Sequence, residues 1–286
     1  MAQSGIRASV IIPAYNAQET IAEAISSAIK QSPAPHEIVV GDDGSTDHTA
    51  DIAEELGCIV LRLPHANGAI ARNEAVKAAS GEVLFFLDAD DRYRPGKIAQ
   101  HLAIHAEFGE CLVLDRAKPF VEGGPSPGWT AGRAPAGTRD WRDLLSHRAW
   151  PTGSGFSVTK SAYDAVGGFN PVLTKYQDVD FWIRCAARLG TWHQIDEVLT
   201  DYRVSPGSVS KRTEGHEESV NAMLAGWPFA TEDEKQRIRR VANLMMAEQQ
   251  RFPGSITYLR RAGWPVTMRF FWKCLLVSIK RTMNQS

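Results

Sequence analysis

The chain has 286 residues, of which 43% are hydrophobic and 23% are charged, and its formal net charge is −1. This profile is typical of a soluble globular protein, and the length allows one large α/β domain with or without an appendage. The four cysteines are scattered without a CxxC pair or a His/Cys ligand spacing. That pattern argues against a zinc site and a disulfide framework and fits a reducing cytoplasm. The first residues lack the features of a signal peptide and no apolar run has the length of a membrane span, so we expect neither.

Charge is distributed unevenly along the chain. Residues 235–286 contain eleven Lys or Arg and one acidic residue, Glu248, which is a local net charge of +10. The remaining 234 residues contain 21 Lys or Arg and 32 Asp or Glu, which is a net charge of −11. This asymmetry predicts different partners for the acidic body and the basic tail.

Short apolar runs alternate with helical patterns over the first hundred residues. The pattern predicts strands at residues 9–12, 37–40, 59–63 and 83–87, separated by helices at 17–30, about 45–56 and 69–79. Asn16, with Glu19 three positions later, is typical of an N-cap with its capping-box partner. Alternation of this kind implies a mostly parallel, Rossmann-like sheet flanked by helices, in which ligands bind beyond the carboxyl ends of the strands.

The second half is less regular. Residues 123–137 are rich in Gly, Pro and Ala and predict a long loop, and regular structure resumes near Asp140. The later part of residues 176–189 has a helical pattern. From Gly215 onward the pattern is helical, with breaks at residues 227–228, 253–254 and 263–265.

Two acidic clusters fall at predicted strand ends. Asp88-Ala89-Asp90 follows the apolar fourth strand, and two carboxylates there can hold a divalent cation such as Mg²⁺ or Mn²⁺ that neutralises a diphosphate. Asp42, followed by Asp43 and Gly44, can accept a hydrogen bond from a nucleobase N–H. The alternatives are a solvated acidic turn at the first cluster and an Asp-Gly turn that caps the next helix at the second.

Five motifs in register carry a family resemblance. They are residues 10–16 (VIIPAYN), 42–47 (DDGSTD), 67–73 (NGAIARN), 81–91 (GEVLFFLDADD), and residues 167–170 (GGFN) with 177–184 (QDVDFWIR). Over about residues 8–210 the chain resembles the family 2 glycosyltransferases, which have the GT-A fold. The resemblance predicts a nucleotide-sugar-binding and catalytic domain at residues 1–214, and we assign residues 215–286 to a helical, basic C-terminal extension.

The resemblance implies a role for each matching residue. The residues expected to contact the donor nucleotide are Pro13, Ala14, Tyr15, Asp42, Arg72 and Asp88. Asp90, with Asp88, would bind the metal, and Asp178 would be the general base. Without the resemblance, the alternative for Arg72 is a surface charge on a helix. For Asp178 it is a carboxylate at a helix N-terminus that the helix dipole stabilises.

These roles fit an inverting transfer. An acceptor hydroxyl attacks the anomeric carbon in line while a carboxylate takes its proton, which typically contributes about 10²–10⁴-fold. The metal stabilises the charge on the departing nucleoside diphosphate. The chain departs from relatives at Gln177, where Glu is frequent, and at Ser205, where a His is frequent, so the third protein ligand of the metal stays open.

Further residues are candidates for the diphosphate and the acceptor. Arg203 is expected to reach the diphosphate. Trp150 lies where relatives form the acceptor side of the pocket and can stack on a sugar ring, although a buried structural Trp is an equal alternative. His193 and His216 are candidate ligands, for which a core or surface position is the favoured reading.

The basic tail suggests a surface for a membrane. Residues 264–281 mix large apolar side chains with Arg and Lys, which suits a helix that lies in an anionic membrane interface. A packing helix is the competing reading, and nucleic acid is disfavoured. We therefore expect a cytoplasmic enzyme, peripheral on the inner face of the membrane, that acts on a glycan or lipid-linked acceptor.

Two other function classes share this layout. One is a catalytically silent nucleotide-sugar-binding or scaffold protein, against which the retained acidic residues argue. The other is a sugar-phosphate nucleotidyltransferase, which needs a Gly-rich, basic loop after the first strand, where this chain has Pro13-Ala14-Tyr15-Asn16. The donor sugar, the acceptor and the linkage are not specified by the sequence; UDP is the default nucleotide.

Overall fold

A computed structural model describes residues 5–204 and 214–249. By their contacts these residues form two compact units, the first made of residues 5–144 and 148–204, and the second of residues 145–147 and 214–249. The domain boundary predicted between residues 214 and 215 stays a prediction. The predicted breaks near residues 253 and 263, Ser205, and the tail at 264–281 all lie outside the described residues.

The first half of the larger unit is a parallel sheet covered by helices. Its elements are β1 (Ala8–Ala14), α1 (Ile21–Ile29), β2 (Glu37–Asp42), α2 (Thr49–Glu55), β3 (Ile59–Arg62), α3 (Gly68–Ala78) and β4 (Val83–Phe86). The strands lie in the order β3-β2-β1-β4 and all pair in parallel. The four predicted strands and three predicted helices of this half are therefore confirmed.

The start of α1 is a correction. The helix begins at Ile21, and Asn16 does not cap it. Asn16 adopts a positive φ of 47° and its side-chain oxygen accepts a hydrogen bond from the backbone N–H of Thr46 at 2.9 Å. Asn and Asp tolerate this left-handed conformation better than most residues. Asn16 thus joins the loops after β1 and β2, a tertiary contact that a local capping pattern cannot reveal.

The second half of the larger unit continues the same sheet with mixed directions. Its elements are β5 (Arg92–Tyr93), α4 (Lys97–Phe108), β6 (Leu112–Phe120), β7 (Gly137–Asp140), β8 (Phe156–Thr159), α5 (Lys160–Ala165), α6 (Gln177–Leu189) and β9 (Thr191–Arg203). Beyond β4 the order is β8-β6-β9-β5, and β7 pairs with β9. Only β6 and β9 pair in parallel among these strands. Within residues 5–204 the nine strands form one sheet.

The predicted loop at residues 123–137 is largely irregular. It is held to β6 by an isolated bridge between Ala117 and Ala131. The backbone N–H of Gly132 donates to the carbonyl of Trp150 at 2.7 Å. Long loops without secondary structure are commonly functional, and this one is anchored at its middle rather than only at its ends.

The smaller unit contains two helices, α7 (His216–Ala225) and α8 (Glu232–Gln249). The break predicted at residues 227–228 falls between them, where Trp227 is fully buried. Among the described residues, no helix has the length and apolar character needed to cross a bilayer.

Candidate functional site

The sequence-predicted site residues meet at one edge of the sheet. β2 and β4 flank β1 on either side, with Ala14 opposite Asp42 and Ile11 opposite Phe86. The segments that leave these three strands are therefore neighbours, and they carry Tyr15, Asp42 and Asp88. This is the carboxyl edge where open α/β sheets bind ligands.

Asp42 is a buried carboxylate with one oxygen unused. Its Oδ2 accepts a hydrogen bond from the backbone N–H of Ser45 at 3.2 Å. Its Oδ1 is buried and has no hydrogen-bond partner among residues 5–204 and 214–249. A buried acceptor without a partner is costly, so the arrangement suits a ligand that brings an N–H or O–H donor.

The turn after Asp42 brings a histidine to the same place. Gly44 has a φ of +75°, and a Cβ there would lie 2.7 Å from the backbone nitrogen of His65. His65 stacks on Tyr15 with ring centroids 4.2 Å apart, and its Nδ1 lies 3.1 Å from a carboxylate oxygen of Asp43. Tyr15 is 47% exposed. An aromatic pair beside an unpartnered carboxylate oxygen is suited to a planar base that carries an N–H.

The two remaining residues of the predicted nucleoside lining are less accessible than Tyr15. Ala14 is buried within the sheet, and Pro13 is partly buried. Both belong to β1, opposite residues 42 and 41 of β2. Their position in the sheet favours a structural contribution at the end of β1.

Arg72 joins the acidic segment to the helix that carries the predicted base. Its guanidinium donates to Asp88 at 2.6 Å and to the side-chain oxygen of Gln177 at 3.1 Å. Asn67 caps α3 by accepting from the backbone N–H groups of Ala69 and Ile70, which fixes the first turn of the helix that carries Arg72. The surface-charge alternative for Arg72 is wrong, because this side chain is largely buried.

The carboxylates after β4 are crowded. Burial, and after it the Asp88 carboxylate, raise the pKa of Asp90 to about 6. Burial, followed by the Asp88 and Asp90 charges, raises the pKa of Asp91 well above its usual value. Like charges held this close favour a cation between them or protonation of one member.

The donor set fits a hard divalent cation that shares its coordination with a ligand. No group of three or more His, Cys, Asp or Glu side chains within the described part of the chain encloses a metal. Mg²⁺ is usually held by one or two carboxylates together with phosphate oxygens and water, so two carboxylates are sufficient on the protein side. Asp88 and Asp90 are both partly exposed and meet this requirement.

Asp178 lies in the first turn of α6, next to Gln177. The residue before the helix, Tyr176, has a φ of 59°, and an oxygen of Asp178 accepts from the backbone N–H of Val179 at 2.8 Å. Burial raises the pKa of Asp178. A carboxylate with a raised pKa is a stronger base than an exposed one, as proton abstraction requires.

Two of the predicted contacts are placed differently from the expectation. Trp150 is 5% exposed and its indole N–H donates to the carbonyl of Leu144 at 2.7 Å, so the ring is structural and is not available to stack on a sugar. Arg203 donates to the carbonyl of Asp90 at 2.8 Å and pairs with Glu23 and Glu122. Its guanidinium therefore holds the acidic segment in place; contact with a diphosphate stays a prediction.

The histidine candidates occupy protein interiors. His193 is buried against Phe108, and in the smaller unit His216 is buried with its Nε2 3.0 Å from Asn243. Both agree with the structural readings of these residues. The motif at residues 167–170 is structural as well, since Asn73 and Arg184 bind its backbone.

The structure adds residues that the sequence patterns did not single out. Asp91 and Ser154 are buried and hydrogen-bonded behind the Asp88–Asp90 segment. Trp129, on the loop after β6, is 46% exposed, and its ring lies 6.2 Å from that of Tyr202, the neighbour of Arg203. Their signal in the sequence is weak, because an acidic neighbour, a loop serine and a lone loop tryptophan are all ordinary surface features.

Comparison with known sequences identifies the same region. The sequence model of the family described as "Glycosyl transferase family 2" matches residues 9–163, which is more than half of the chain. The match contains β1–β4 and β8 and includes the whole acidic segment.

Two relatives indicate the kind of pathway in which similar chains occur. The chain is 35% identical over 209 residues to the putative teichuronic acid biosynthesis glycosyltransferase TuaG of Bacillus subtilis, covering 71% of this chain and 81% of that one. It is 40% identical over 100 residues to WfgD of Escherichia coli, a UDP-Glc:alpha-D-GlcNAc-diphosphoundecaprenol beta-1,3-glucosyltransferase. That second match covers 34% of this chain and 40% of the relative.

Solved structures share the fold. TarS of S. aureus, in a crystal structure of residues 1–349 in complex with UDP-GlcNAc, superposes with a TM-score of 0.65 at 21% identity. The similarity covers 85% of this chain and 71% of that one. The predicted GT-A architecture, a central sheet of mostly parallel strands flanked by helices, is thereby confirmed.

Proposed function

The chain belongs to glycosyl transferase family 2, and from this premise we propose that it is an inverting enzyme that moves a sugar from a UDP-sugar to an acceptor hydroxyl. The observation that carries the proposal is the bridge by Arg72, whose guanidinium binds both Asp88 and Gln177. It brings the segment expected to hold the donor diphosphate beside the helix turn that carries Asp178. A transferase of this kind needs both in one site.

The nucleoside is held at the ends of β1 and β2. The unpartnered Oδ1 of Asp42 accepts the N–H of uracil, and Tyr15 offers an exposed ring beside it. The rings of Tyr15 and His65 are stacked, so the base either lies against this pair or displaces His65 from it. A cytosine ring nitrogen is an acceptor at the corresponding position and would leave Asp42 without its hydrogen bond.

Asp178 serves as the base of the reaction. It takes the proton from the acceptor hydroxyl as that oxygen attacks the anomeric carbon, and the bond to the nucleoside diphosphate breaks on the opposite face. Arg72 orients Gln177, the neighbour of Asp178, and its positive charge lies near the carboxylates of Asp88 and Asp178. No covalent sugar–enzyme intermediate is required.

Asp88 and Asp90 are the residues that would hold a Mn²⁺ or Mg²⁺ ion. When bound, the ion stabilises the negative charge that develops on the leaving diphosphate. The carbonyl of Asp90 is held by Arg203, which keeps the segment from moving away from the sheet edge. Ser205, in the position where relatives often carry His, is outside the described residues.

We place the acceptor in cell-surface polysaccharide or lipid-linked glycan synthesis. The support is the pathway named for the relative TuaG and the lipid-linked acceptor named for the relative WfgD. On this proposal the enzyme works in the cytoplasm, and its basic residues 264–281 bring it to the inner face of the membrane that carries the acceptor. We expect vesicles of anionic phospholipid to bind the full chain and to bind a variant that ends at Gly263 much less.

The donor test is a thermal-shift screen of nucleotide sugars with and without Mn²⁺, followed by a donor-hydrolysis assay. Ligands that bind the folded state raise its apparent stability. We expect UDP-sugars with Mn²⁺ to produce the largest shift. Stabilisation by another nucleotide class alone, or no effect of Mn²⁺, would overturn the donor assignment.

The variant Asp178→Asn distinguishes an active transferase from a catalytically silent protein that only binds the nucleotide sugar. The substitution removes the base without changing the size of the side chain. We expect turnover to fall about 10²–10⁴-fold while the UDP–Mn²⁺ thermal shift is retained. Equal turnover in wild type and Asp178→Asn contradicts the base assignment, and absent turnover in wild type with retained UDP binding favours the silent binder.

A further inference from the structure

Asp91 is a buried carboxylate that faces away from solvent directly behind Asp88 and Asp90. It is 1% exposed. One oxygen accepts the hydroxyl hydrogen of Ser154 at 2.6 Å, and the other accepts the backbone N–H of Arg203 at 2.8 Å. Both oxygens are thus engaged by protein donors from two distant segments.

Ser154 links Asp91 to the backbone of Asp88. Its hydroxyl oxygen accepts the backbone N–H of Asp88 at 2.9 Å while its hydrogen goes to Asp91. The backbone N–H of Asp91 in turn donates to the carbonyl of Asp88 at 3.0 Å. The segment is therefore closed on itself by a turn and by a serine bridge.

The turn that contains Ser154 has little freedom of its own. The backbone N–H of Asp115, in β6, donates to the carbonyl of Gly155 at 3.0 Å. A Cβ on Gly153 would lie 2.6 Å from a carboxylate oxygen of Asp88, so this turn also lies against the Asp88 side chain. A displacement of the turn would move Asp88.

Burying a carboxylate is expensive unless it is fully hydrogen-bonded, and a polar or apolar side chain could fill the same space. The particular value of a carboxylate here is that it accepts at both oxygens at once and ties β9, the 153–155 turn and the post-β4 segment together. Groups that orient the ligands of a metal commonly change its affinity by about 10–100-fold when removed.

We propose that Asp91, acting through Ser154 and the backbone N–H of Arg203, is a positioning residue that holds Asp88 and Asp90 in the geometry required for a divalent cation and the donor diphosphate. This inference rests on the proposed function, because it assigns a purpose to the Asp88–Asp90 segment. Asp91 itself does not touch the ion.

The test measures Mn²⁺ affinity in the presence of saturating UDP by calorimetry, on the full chain. The variants are Asp91→Ala, Asp91→Asn and Ser154→Ala. Asp201→Asn is the matched control, because it removes one negative charge from the end of β9, where Asp201 pairs with Arg94 and not with the acidic segment. UDP affinity without metal and urea unfolding are measured on every variant.

We expect Asp91→Ala to weaken Mn²⁺ binding by about 10–100-fold and Ser154→Ala to weaken it by about 10-fold. Asp91→Asn, which keeps one acceptor, should lie between Asp91→Ala and wild type. Metal-free UDP affinity should stay within about twofold. The double variant of Asp91→Ala and Ser154→Ala should be no weaker than Asp91→Ala alone, since both residues act along one connection.

The outcomes separate the two proposals. If wild type binds UDP and Mn²⁺ while Ser154→Ala and the folded Asp91 variants match Asp201→Asn within about twofold, the positioning role is wrong and the proposed function stands. If wild type shows no Mn²⁺-dependent UDP binding, the metal-dependent donor assignment fails and the positioning role fails with it. If Asp91→Ala does not fold, Ser154→Ala and Asp91→Asn decide.

Discussion

The two halves of the larger unit stabilise the same sheet in opposite ways. Under β1–β4 the core is apolar, with fully buried side chains such as Val10, Ile12, Ile25 and Phe85. Between α4 and the strands β6, β8 and β9 the interior contains a group of buried polar side chains beside a small apolar cluster of Cys111, Val113, Ile195 and Leu199. There Lys97, His101 and Asp115 are all fully buried.

The polar interior is a continuous hydrogen-bonded cluster. Asp115 is paired with Lys97 and lies 3.0 Å from the Nε2 of His101, while Thr200 donates to its other oxygen at 2.9 Å. Ser157 links His101 to His105 through contacts of 2.7 and 2.8 Å. We call these six residues the buried polar cluster.

The two interiors contribute differently to the geometry of the candidate site. Apolar contacts are non-directional, so the apolar core supports the ends of β1 and β2 without fixing the direction of polar groups there. A charged interior is stable only when every partner is in place. The buried polar cluster adjoins the 153–155 turn, which lies against Asp88.

The largest expected effect is in the buried polar cluster. Asp115→Ala leaves Lys97 buried without its counter-charge, and we expect a loss of about 3–5 kcal/mol in the free energy of unfolding. Urea unfolding followed by circular dichroism measures it. The double change Lys97→Met with Asp115→Leu should recover most of that loss. A loss below about 1 kcal/mol for Asp115→Ala would contradict the comparison.

The histidines of this cluster predict a pH dependence. Burial lowers the pKa of His101 to about 4 and that of His105 to about 3, below the ordinary value of about 6.5. The unfolded chain binds protons in this window and the folded chain does not, so stability falls as the pH decreases from 6.5. Between pH 6.5 and 5 we expect each histidine to lower the free energy of unfolding by roughly 1–2 kcal/mol. His105→Asn should reduce the change of the free energy of unfolding with pH. A free energy of unfolding that stays constant over this pH range would contradict the prediction.

For the half of the larger unit built on β1–β4, we predict an effect on UDP binding with little change in stability. Asp42→Asn removes the charge from the buried oxygen that has no hydrogen-bond partner among the described residues. We expect UDP affinity to fall about 10–100-fold, since hydrogen bonds to charged groups contribute about 1.5–3 kcal/mol. Calorimetry with UDP measures it. Asp51→Asn, which removes an equal charge from the exposed surface of α2, is the control and should leave UDP affinity unchanged. If the two variants bound UDP with equal affinity, Asp42 would not be a ligand of the nucleobase.

The smallest expected effect is a conservative change in the apolar core. Ile25→Val removes one buried methylene beneath β1, and we expect a loss of about 0.5–1.5 kcal/mol in urea unfolding with unchanged UDP affinity. An effect as large as that of Asp115→Ala would erase the contrast between the two interiors.

The parallel half of the fold was accessible from local patterns. The strands end at Asp42 and close to Asp88, and short β–α repeats with apolar runs predict both the sheet and the edge where ligands bind. The boundaries were within a few residues of those observed, except at α1, where Asn16 makes a contact with Thr46 that lies thirty positions away. The mixed strand order of the second half had no comparable signal, because antiparallel insertions such as β8 follow long irregular segments.

The candidate site could be predicted from the sequence only in part. Asp42, Asp88, Asp90 and Asp178 were named from motifs, and their roles stay predictions until the binding and turnover experiments are done. The placement of Trp150 could not be predicted, because an indole beside Pro and Gly reads equally as a sugar platform or as a buried ring. The buried polar cluster could not be predicted from the sequence, since Lys97 and Asp115 resemble ordinary surface charges there.

Local sequence patterns were sufficient to predict the family, the parallel β–α half and the acidic segments at the strand ends, because each depends on residues that are close together in the chain. Three features required the folded chain: which charges are buried, the bridge by Arg72 between Asp88 and Gln177, and the position of Asp91 and Ser154 behind the segment expected to bind the metal. These are pairings between residues that are 16 to 105 positions apart. They depend on burial and hydrogen-bond geometry, which no local pattern of residue types encodes.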